Sequence, residues 1–232
     1  MREIVFDTET TGLNPLGGDR MVEIGCVEVV NRIETGRHFH AYFYPERDMP
    51  FEAEMVHGLS AAFLSDKPLF AEKADELLEF IEDSPLVAHN AAFDFGFLNT
   101  ELERCGRSSV AMARMVDTLT LARSKHPGAK HSLDALCVRF GIDRSHRVKH
   151  GALLDAQLLA QVYVELTGGR QIGLGLVAEA GSVAVGQTAG PVTVREPRPA
   201  RPHAPLFEEL ERHRAFIAKL ANPLWERFLG AG

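Results

Sequence analysis

Two carboxylates lie two residues apart near the start of the chain, at Asp7 and Glu9. They follow the apolar run IVF at residues 4–6, which predicts a short buried strand. Side chains at positions i and i+2 of an extended backbone point to the same side, so this spacing presents both carboxylates together at a strand end. Taken alone, such a pair is usually a solvated strand edge and not a catalytic pair.

Two later segments contribute residues of a similar chemical kind. Asp94 falls in the first turn of a helix predicted to begin at about Phe93. Asp155 belongs to a helix predicted over residues 152–166, and His150 immediately precedes that helix. An Asp in the first turn of a helix interacts favourably with the helix dipole whether or not it has a function. Each of these carboxylates therefore has an ordinary structural explanation by itself. Histidine side chains commonly titrate near neutral pH, which suits a general base.

Taken together, these residues predict a metal site. Four carboxylates that converge on one site repel each other strongly unless cations neutralise them. Hard oxygen ligands of this kind select Mg²⁺ or Mn²⁺. Two such ions about 3.5–4 Å apart form a clamp for phosphoryl transfer. The expected cofactors are therefore two divalent cations, Mg²⁺ or Mn²⁺.

Composition excludes several other classes of protein. The 232 residues carry a formal net charge of −7, which argues against a protein that coats nucleic acid by bulk positive charge. The three cysteines are scattered and form no C-x-x-C pattern, which is typical of free thiols in a reducing compartment. The first residues, MREIVFDTET, do not resemble a signal peptide, and no apolar run is long enough to cross a membrane. We expect a cytoplasmic protein without membrane contact.

The order of apolar patterns predicts an α/β fold. Strands are predicted at residues 4–6, 21–30, 37–44, 86–88 and 115–116. Helices are predicted over 70–81, over 93–104 and over 152–166. Two further helices are predicted, one that follows the strand at 115–116 and ends at Arg123, and one that begins after the cap Ser132 and ends at Phe140. The first three strands are expected to form an antiparallel meander that crossover connections extend. The expected fold is a mixed five-stranded sheet flanked by helices.

Three motifs carry a family resemblance. The segments DTETTG at 7–12, HNAAFD at 89–94 and HGALLD at 150–155 resemble, in order, the three motifs of the DEDDh 3′–5′ exonucleases. The resemblance implies a ribonuclease-H-like fold. Most of residues 1–185 is similar to the proofreading, or epsilon, branch of that family in bacterial DNA polymerase III. This similarity implies an enzyme that removes nucleoside 5′-monophosphates from single-stranded or mispaired DNA 3′ ends.

The resemblance also implies a role for each residue of the motifs. Asp7 would bridge both metal ions, Glu9 and Asp155 would complete the shell of the first, and Asp94 would hold the second. His150 would deprotonate the attacking water. The residues that the resemblance places against the terminal nucleotide are Thr8, Thr10, Leu13, Glu52, Ala53, Val56, His57 and Phe93.

The C-terminal part of the chain has a different composition. The stretch GPVTVREPRPARPHAP contains five prolines and predicts an extended linker. Before it, QIGLGL at 171–176 resembles a sliding-clamp-binding peptide, in which Gln171, Leu174 and Leu176 would make the contacts. After it, an amphipathic helix with no core to join is expected to dock on a partner. The resemblance implies that this partner is the polymerase catalytic subunit. The residues predicted for that contact are Leu210, Phe216, Leu220, Leu224 and Trp225.

These signals define four segments and leave some alternatives open. The predicted segments are an exonuclease domain at 1–170, a clamp-binding segment at 171–185, a linker at 186–205 and a polymerase-binding tail at 206–232. The alternatives are a stand-alone DEDDh exoribonuclease or repair exonuclease, or a non-catalytic adapter between clamp and polymerase. All five catalytic residue types are present, which disfavours the adapter.

Overall fold

The structure is a computed structural model that describes residues 1–145, 147, 149–169 and 205–219. The chain divides into two units, Met1–Leu176 and Val177–Gly232. Of the elements in the described residues, the strands and the first seven α-helices belong to the first unit. Several residues of the predicted partner-binding segments lie outside the described residues, namely Gln171, Leu174, Leu176, Leu220, Leu224 and Trp225.

A five-stranded mixed sheet forms the centre of the first unit, as the sequence predicted. Its strands are β1 (Arg2–Thr10), β2 (Met21–Val30), β3 (Ile33–Tyr42), β4 (Leu86–Ala88) and β5 (Met115–Asp117). The order across the sheet is β3-β2-β1-β4-β5. β1, β2 and β3 pair antiparallel, whereas β4 is parallel to both β1 and β5. β1 is thus the central strand.

Helices cover both faces of this sheet. The helices of the first unit are α1 (Phe51–His57), α2 (Ala61–Leu64), α3 (Phe70–Ile81), α4 (Ala92–Arg104), α5 (Thr118–Lys125), α6 (Leu133–Phe140) and α7 (Ala152–Leu166). The described part of the second unit contains α8 (Phe207–Ile217). The predicted bounds of α3 and α7 agree with the structure. Among the described residues, no helix has the length and apolar character that a membrane crossing requires.

The prediction was wrong in three local respects. β1 extends over nine residues because it pairs with β2 from Arg2 to Thr10, so Asp7 and Glu9 lie within the strand and not after it. β3 begins four residues earlier than predicted, since its pairing with β2 extends to Ile33. The helices α1 and α2 were not predicted, and α1 buries only His57, so it offers no periodic apolar face to detect.

Alternation along β1 directs its side chains to opposite faces of the sheet. Ile4 and Phe6 join the core beneath α3 and α4, whereas Val5 joins the core beneath α7. The hydroxyl of Tyr163 in α7 donates a hydrogen bond of 2.7 Å to Glu3, so the odd-numbered positions face α7. Continuing this alternation places the side chains of residues 7 and 9 on the α7 side.

A glycine lets α7 approach the sheet beside Asp7. Gly25 pairs with Asp7 in the β1–β2 ladder. A Cβ atom added at Gly25 would lie 2.3 Å from backbone atoms of Leu153, much closer than van der Waals contact. The first turn of α7 therefore rests directly on the bare backbone of β2. This contact brings Asp155, in the same turn, toward the central strand.

We predict that Gly25→Ala lowers the free energy of unfolding by about 1–3 kcal/mol, because the added methyl must displace helix backbone. Chemical denaturation would measure the change. Gly96→Ala is the matched control, since its Cβ would lie 3.8 Å from Pro15, an ordinary contact, within a helix that favours alanine. Equal stability of the two variants would contradict the close packing of α7 on β2.

Candidate active site

One cleft brings together the five residues that the sequence singled out. It has a volume of about 270 Å³ and contains Asp7, Glu9, Asp94, His150 and Asp155. The remaining lining comes from Thr8, His89, Phe93, Ser132, Leu133 and Arg147. The carboxylates therefore reach a common space from β1, α4 and α7, three elements that are distant in the sequence.

Asp94 is held at the end of the central strand by a buried hydrogen bond. The hydroxyl of Thr8 donates to Asp94 Oδ1 over 2.8 Å. Both side chains are buried, with Asp94 only 3% exposed. Thr8 points to the face opposite Asp7 and Glu9, so this bond ties α4 to the strand that carries the other two carboxylates.

The turn between β4 and α4 is organised by Asp117. Its Oδ1 accepts hydrogen bonds from the backbone N–H groups of Asn90, at 3.0 Å, and Ala91, at 3.4 Å. The same oxygen caps α5 through the N–H of Leu119. Asn90 adopts a left-handed conformation with a φ of 64°, which Asn tolerates better than most residues. Asp117 thereby fixes the direction from which Asp94 enters the cleft.

Asp155, His150 and Arg147 form a second group on the α7 side. Arg147 Nε and Nη2 donate to the two oxygens of Asp155 at 2.5 and 2.6 Å. Nη2 also donates to His150 Nδ1 at 2.7 Å, while Nη1 donates to Asp134 at 2.8 Å. Since a guanidinium has no acceptor, this contact uses Nδ1 of His150 as the acceptor.

From the sequence, Arg147 was considered only as one of several basic residues before His150 and was given no role of its own. Its position three residues before His150 was the available signal, but an arginine in a polar loop usually indicates a solvated surface. In the structure its side chain is 9% exposed and is surrounded by carboxylates. Among the described residues that line the cleft, it is the one with a permanent positive charge.

Three of the cleft residues are close enough to share one ion. Ligand atoms of Glu9, His150 and Asp155 all lie within 4.8 Å of one another. Glu9 and Asp155 are buried, whereas the His150 side chain is 48% exposed. His150 therefore stands at the solvent side of the cleft, where a water molecule and a substrate can reach it.

Burial raises the pKa values of three carboxylic acids in the cleft, and neighbouring carboxylates add to the effect for Asp7 and Glu9. Burial, with the neighbouring charges of Asp94, Glu9 and Asp155, raises the pKa of Asp7 well above its ordinary value. Burial and the charge of Glu23 raise the pKa of Glu9 to about 8, although Arg147 opposes the shift. Burial raises the pKa of Asp94 to about 7 against the hydrogen bond from Thr8. The set of donors therefore fits hard divalent cations, which would replace the protons.

The predicted nucleotide-binding residues occupy three different positions. Thr8 and Phe93 line the cleft. The Thr10 hydroxyl donates to the Gly12 carbonyl at 2.6 Å, and Leu13 is 84% exposed on the loop that follows.

The other four, Glu52, Ala53, Val56 and His57, lie on α1. This helix meets the cleft where the N–H of His150 donates to the Val56 carbonyl, at 3.4 Å. His57 is buried, and its Nδ1 accepts from the Leu59 N–H at 3.0 Å. The His57 Nε2 atom is buried without a hydrogen-bond partner in the described part of the chain.

In the second unit, α8 presents two of the predicted polymerase-binding residues. Leu210 is 40% exposed and Phe216 is 61% exposed. The neighbouring Leu206 and Phe207 are also exposed. Among the described residues of this unit, none is buried, so α8 exposes these apolar side chains to solvent.

The fold and the carboxylate cluster together define a nuclease of the ribonuclease-H-like class. A family model described as exonuclease matches residues 4–163. Among solved structures, the chain is similar to an Exonuclease X in complex with 5′ overhanging duplex DNA. That similarity has a TM-score of 0.56 at 26% identity, over 71% of this chain and 90% of that chain.

Curated relatives place the chain more narrowly. DNA polymerase III subunit epsilon of Rickettsia felis is 50% identical over 226 residues, covering 95% of this chain and 97% of that protein. The same subunit of Escherichia coli K12 is 51% identical over 176 residues, covering 73% and 72%. The chain therefore belongs to the exonuclease family, in the branch of DNA polymerase III epsilon subunits. It is a 3′–5′ exonuclease of DNA replication that proofreads, as the motifs predicted, and its family depends on divalent metal ions.

We predict that the metal-free protein loses stability as pH rises from about 5 to about 8. Glu9 has an ordinary pKa of 4.5 and a folded value of about 8, so the folded state binds a proton that the unfolded state releases in this window. Stability then falls with increasing pH. Urea denaturation in excess chelator would measure the slope, and a divalent cation should remove most of it.

Glu9→Gln separates this effect from other titrations. Burial lowers the pKa values of His57 and His89, which makes stability rise with pH and opposes the carboxyl effect near pH 6.5. The informative quantity is therefore the difference in slope between parent and Glu9→Gln, with Glu79→Gln on the exposed face of α3 as control. Identical slopes for parent and Glu9→Gln would contradict the raised pKa.

Proposed function

We propose that the chain hydrolyses the terminal phosphodiester of a DNA 3′ end with two divalent cations, Mg²⁺ or Mn²⁺, and releases nucleoside 5′-monophosphates. The observation that supports this most strongly is the convergence of four carboxylates and His150 on one cleft from three separate elements. Phosphodiester hydrolysis needs neutralised charge and an activated water, and this set of residues supplies ligands for the first and a base for the second.

The four carboxylates would divide between two ions. Asp7, on the central strand, would bridge both, Glu9 and Asp155 would complete the first site, and Asp94 would belong to the second. When bound, the ions neutralise the developing charge on the phosphate and polarise the attacking and leaving oxygens. The buried position of Asp94 and its hydrogen bond from Thr8 hold that carboxylate in one orientation.

His150 would act as the general base. Its Nδ1 lies beside the carboxylates, 3.2 Å from Asp155 Oδ2, and its ring is half exposed. It can take a proton from an incoming water and release it to solvent. Placement on the loop before α7, and not on a buried element, gives the ring the freedom that this exchange needs.

The terminal nucleotide would lie between α1 and Phe93. Thr8, Thr10 and Leu13 would contact it from β1 and the following loop, and Phe93 would stack near its base. Glu52, Ala53, Val56 and His57 on α1 would contact its sugar and phosphate, since α1 adjoins His150 through the Val56 carbonyl. A mismatched 3′ end frays more readily than a paired one, so it would enter the narrow cleft more often.

We predict that the protein converts a 5′-labelled oligonucleotide into a descending ladder with Mg²⁺ or Mn²⁺, and that chelator stops the reaction. Asp7→Ala and His150→Ala should each lose at least about 100-fold in rate. Asp7→Ala should also bind less metal, whereas His150→Ala should retain most of it. His38→Ala, an exposed histidine of β3, serves as the control and should cleave normally.

The same assay distinguishes the alternatives. Full activity of both cleft variants would contradict the proposed site, and no activity of the parent on any strand would favour the non-catalytic adapter. Faster cleavage of RNA than of a matched DNA strand would favour a DEDDh exoribonuclease. Equal digestion of paired and mismatched primers would contradict fraying as the basis of selection.

The C-terminal part would attach the enzyme to the replication machinery in the cytoplasm. The match to the Rickettsia felis subunit covers 95% of this chain, so it must include much of the C-terminal part. Gln171, Leu174 and Leu176 would bind a sliding clamp, and residues 206–232 would bind the polymerase catalytic subunit. A tether across the proline-rich linker at 186–205 would raise the local concentration of the nuclease domain, residues 1–170, at the primer end.

We predict that deleting residues 206–232 abolishes binding to the polymerase catalytic subunit but leaves the oligonucleotide ladder unchanged. Leu210→Asp combined with Phe216→Asp should weaken that binding at least about tenfold, because exposed apolar side chains anchor such contacts. Glu211→Gln on the same helix is the control. Co-purification would measure binding, and loss of nuclease activity on deletion would refute a separable tail.

A further inference from the structure

The Arg147 guanidinium lies where the proposed site needs a cation. It forms two parallel hydrogen bonds to Asp155, at 2.5 and 2.6 Å, and so engages both oxygens of a proposed metal ligand. Its Nη2 also donates to His150 Nδ1 at 2.7 Å, which occupies the lone pair of the proposed base. One side chain thus engages a ligand and the base together.

Arg147 also has a second anchor outside the carboxylate cluster. Its Nη1 donates at 2.8 Å to Asp134, whose side chain is 47% exposed. The guanidinium lies between two cavities, since it lines both the carboxylate cleft and a neighbouring space of about 440 Å³ beside Asp134 and Lys149. It can therefore leave Asp155 for the outer cavity and keep one ion pair.

We infer that Arg147 is a built-in counter-ion that competes with the first metal ion for Asp155 and holds His150 inactive until metal displaces it. A divalent cation beside Asp155 would repel the guanidinium and bind the carboxylate more strongly than a single positive charge does. The arginine would then retain Asp134 and release His150. Arg147 is a positioning residue in this scheme, because it would leave His150 Nδ1 before the reaction begins.

Two other roles for Arg147 lead to opposite expectations. If it served only to hold the loop that carries His150, removing it would loosen Asp155 and weaken metal binding. If it served only to contact DNA phosphate, removing it would raise KM and leave metal affinity unchanged. If Arg147 competes with the metal ion for Asp155, removing the guanidinium must increase the affinity for metal, because the ion no longer has to displace a bound cation.

The matched control is Arg144. Its Nη1 donates to the same Asp134 oxygen, at the same 2.8 Å, that Arg147 contacts, but among its described contacts it makes none to Asp155. Arg144→Gln removes the same charge from the same loop and leaves the Asp155 contact intact. Arg147→Lys keeps a positive charge but loses the two parallel hydrogen bonds.

The test is a calorimetric titration of the full-length protein with Mn²⁺, without DNA. Arg147→Gln should bind the first ion at least about fivefold more tightly than the parent, Arg147→Lys should be intermediate, and Arg144→Gln should change less than about twofold. In chelator, Arg147→Gln should melt at a lower temperature than the parent, and Mn²⁺ should raise its melting temperature by more.

The outcomes separate this inference from the proposed function on which it rests. A parent that binds no Mn²⁺ would overturn both. A parent that binds Mn²⁺, with Arg147→Gln binding equally or more weakly, would overturn the competition alone. If Arg147→Gln does not fold in chelator, Arg147→Lys decides, and an affinity equal to the parent's would overturn the inference.

Discussion

Carboxylates that repel one another meet at one end of the central strand, and the structure must hold them together against that repulsion. Burial destabilises the charged forms further, because it removes the water that would screen them, and this raises the pKa values of Asp7, Glu9 and Asp94. The charge of Arg147 opposes these shifts for Asp7 and Glu9 only in part. Tight binding of divalent cations follows from the same arrangement, since a site that is unstable as four anions gains most from positive charge.

The backbone supplies the force that holds the cluster. β1 pairs along its length with β2, so Asp7 and Glu9 cannot move apart without breaking the centre of the sheet. Bare backbone at Gly25 allows α7 to pack against that strand. Hydrogen bonds to Asp117 and from Thr8 direct the start of α4. The repulsion between the carboxylates is thus offset by strand pairing, helix packing and hydrogen bonds that extend through the whole unit.

Arg147 shows how the surroundings of a motif can matter as much as its members. The resemblance assigned roles to residues at conventional motif positions and passed over an arginine in the loop beside them. Only the fold reveals that this side chain is buried between Asp134 and Asp155, with a direct contact to His150. A sequence pattern records residue types in order, but it does not record which side chain a loop turns inward.

The sequence by itself determined the fold class, the mixed sheet, the bounds of α3 and α7, and the identities of the five residues that meet in the cleft. It could do so because periodicity and motif spacing are local properties of the chain. The full length of β1, the early start of β3, the helices α1 and α2 and the partners of Arg147 were decided by the tertiary structure. These features depend on hydrogen bonds and close contacts between segments far apart in the chain, which no local pattern encodes.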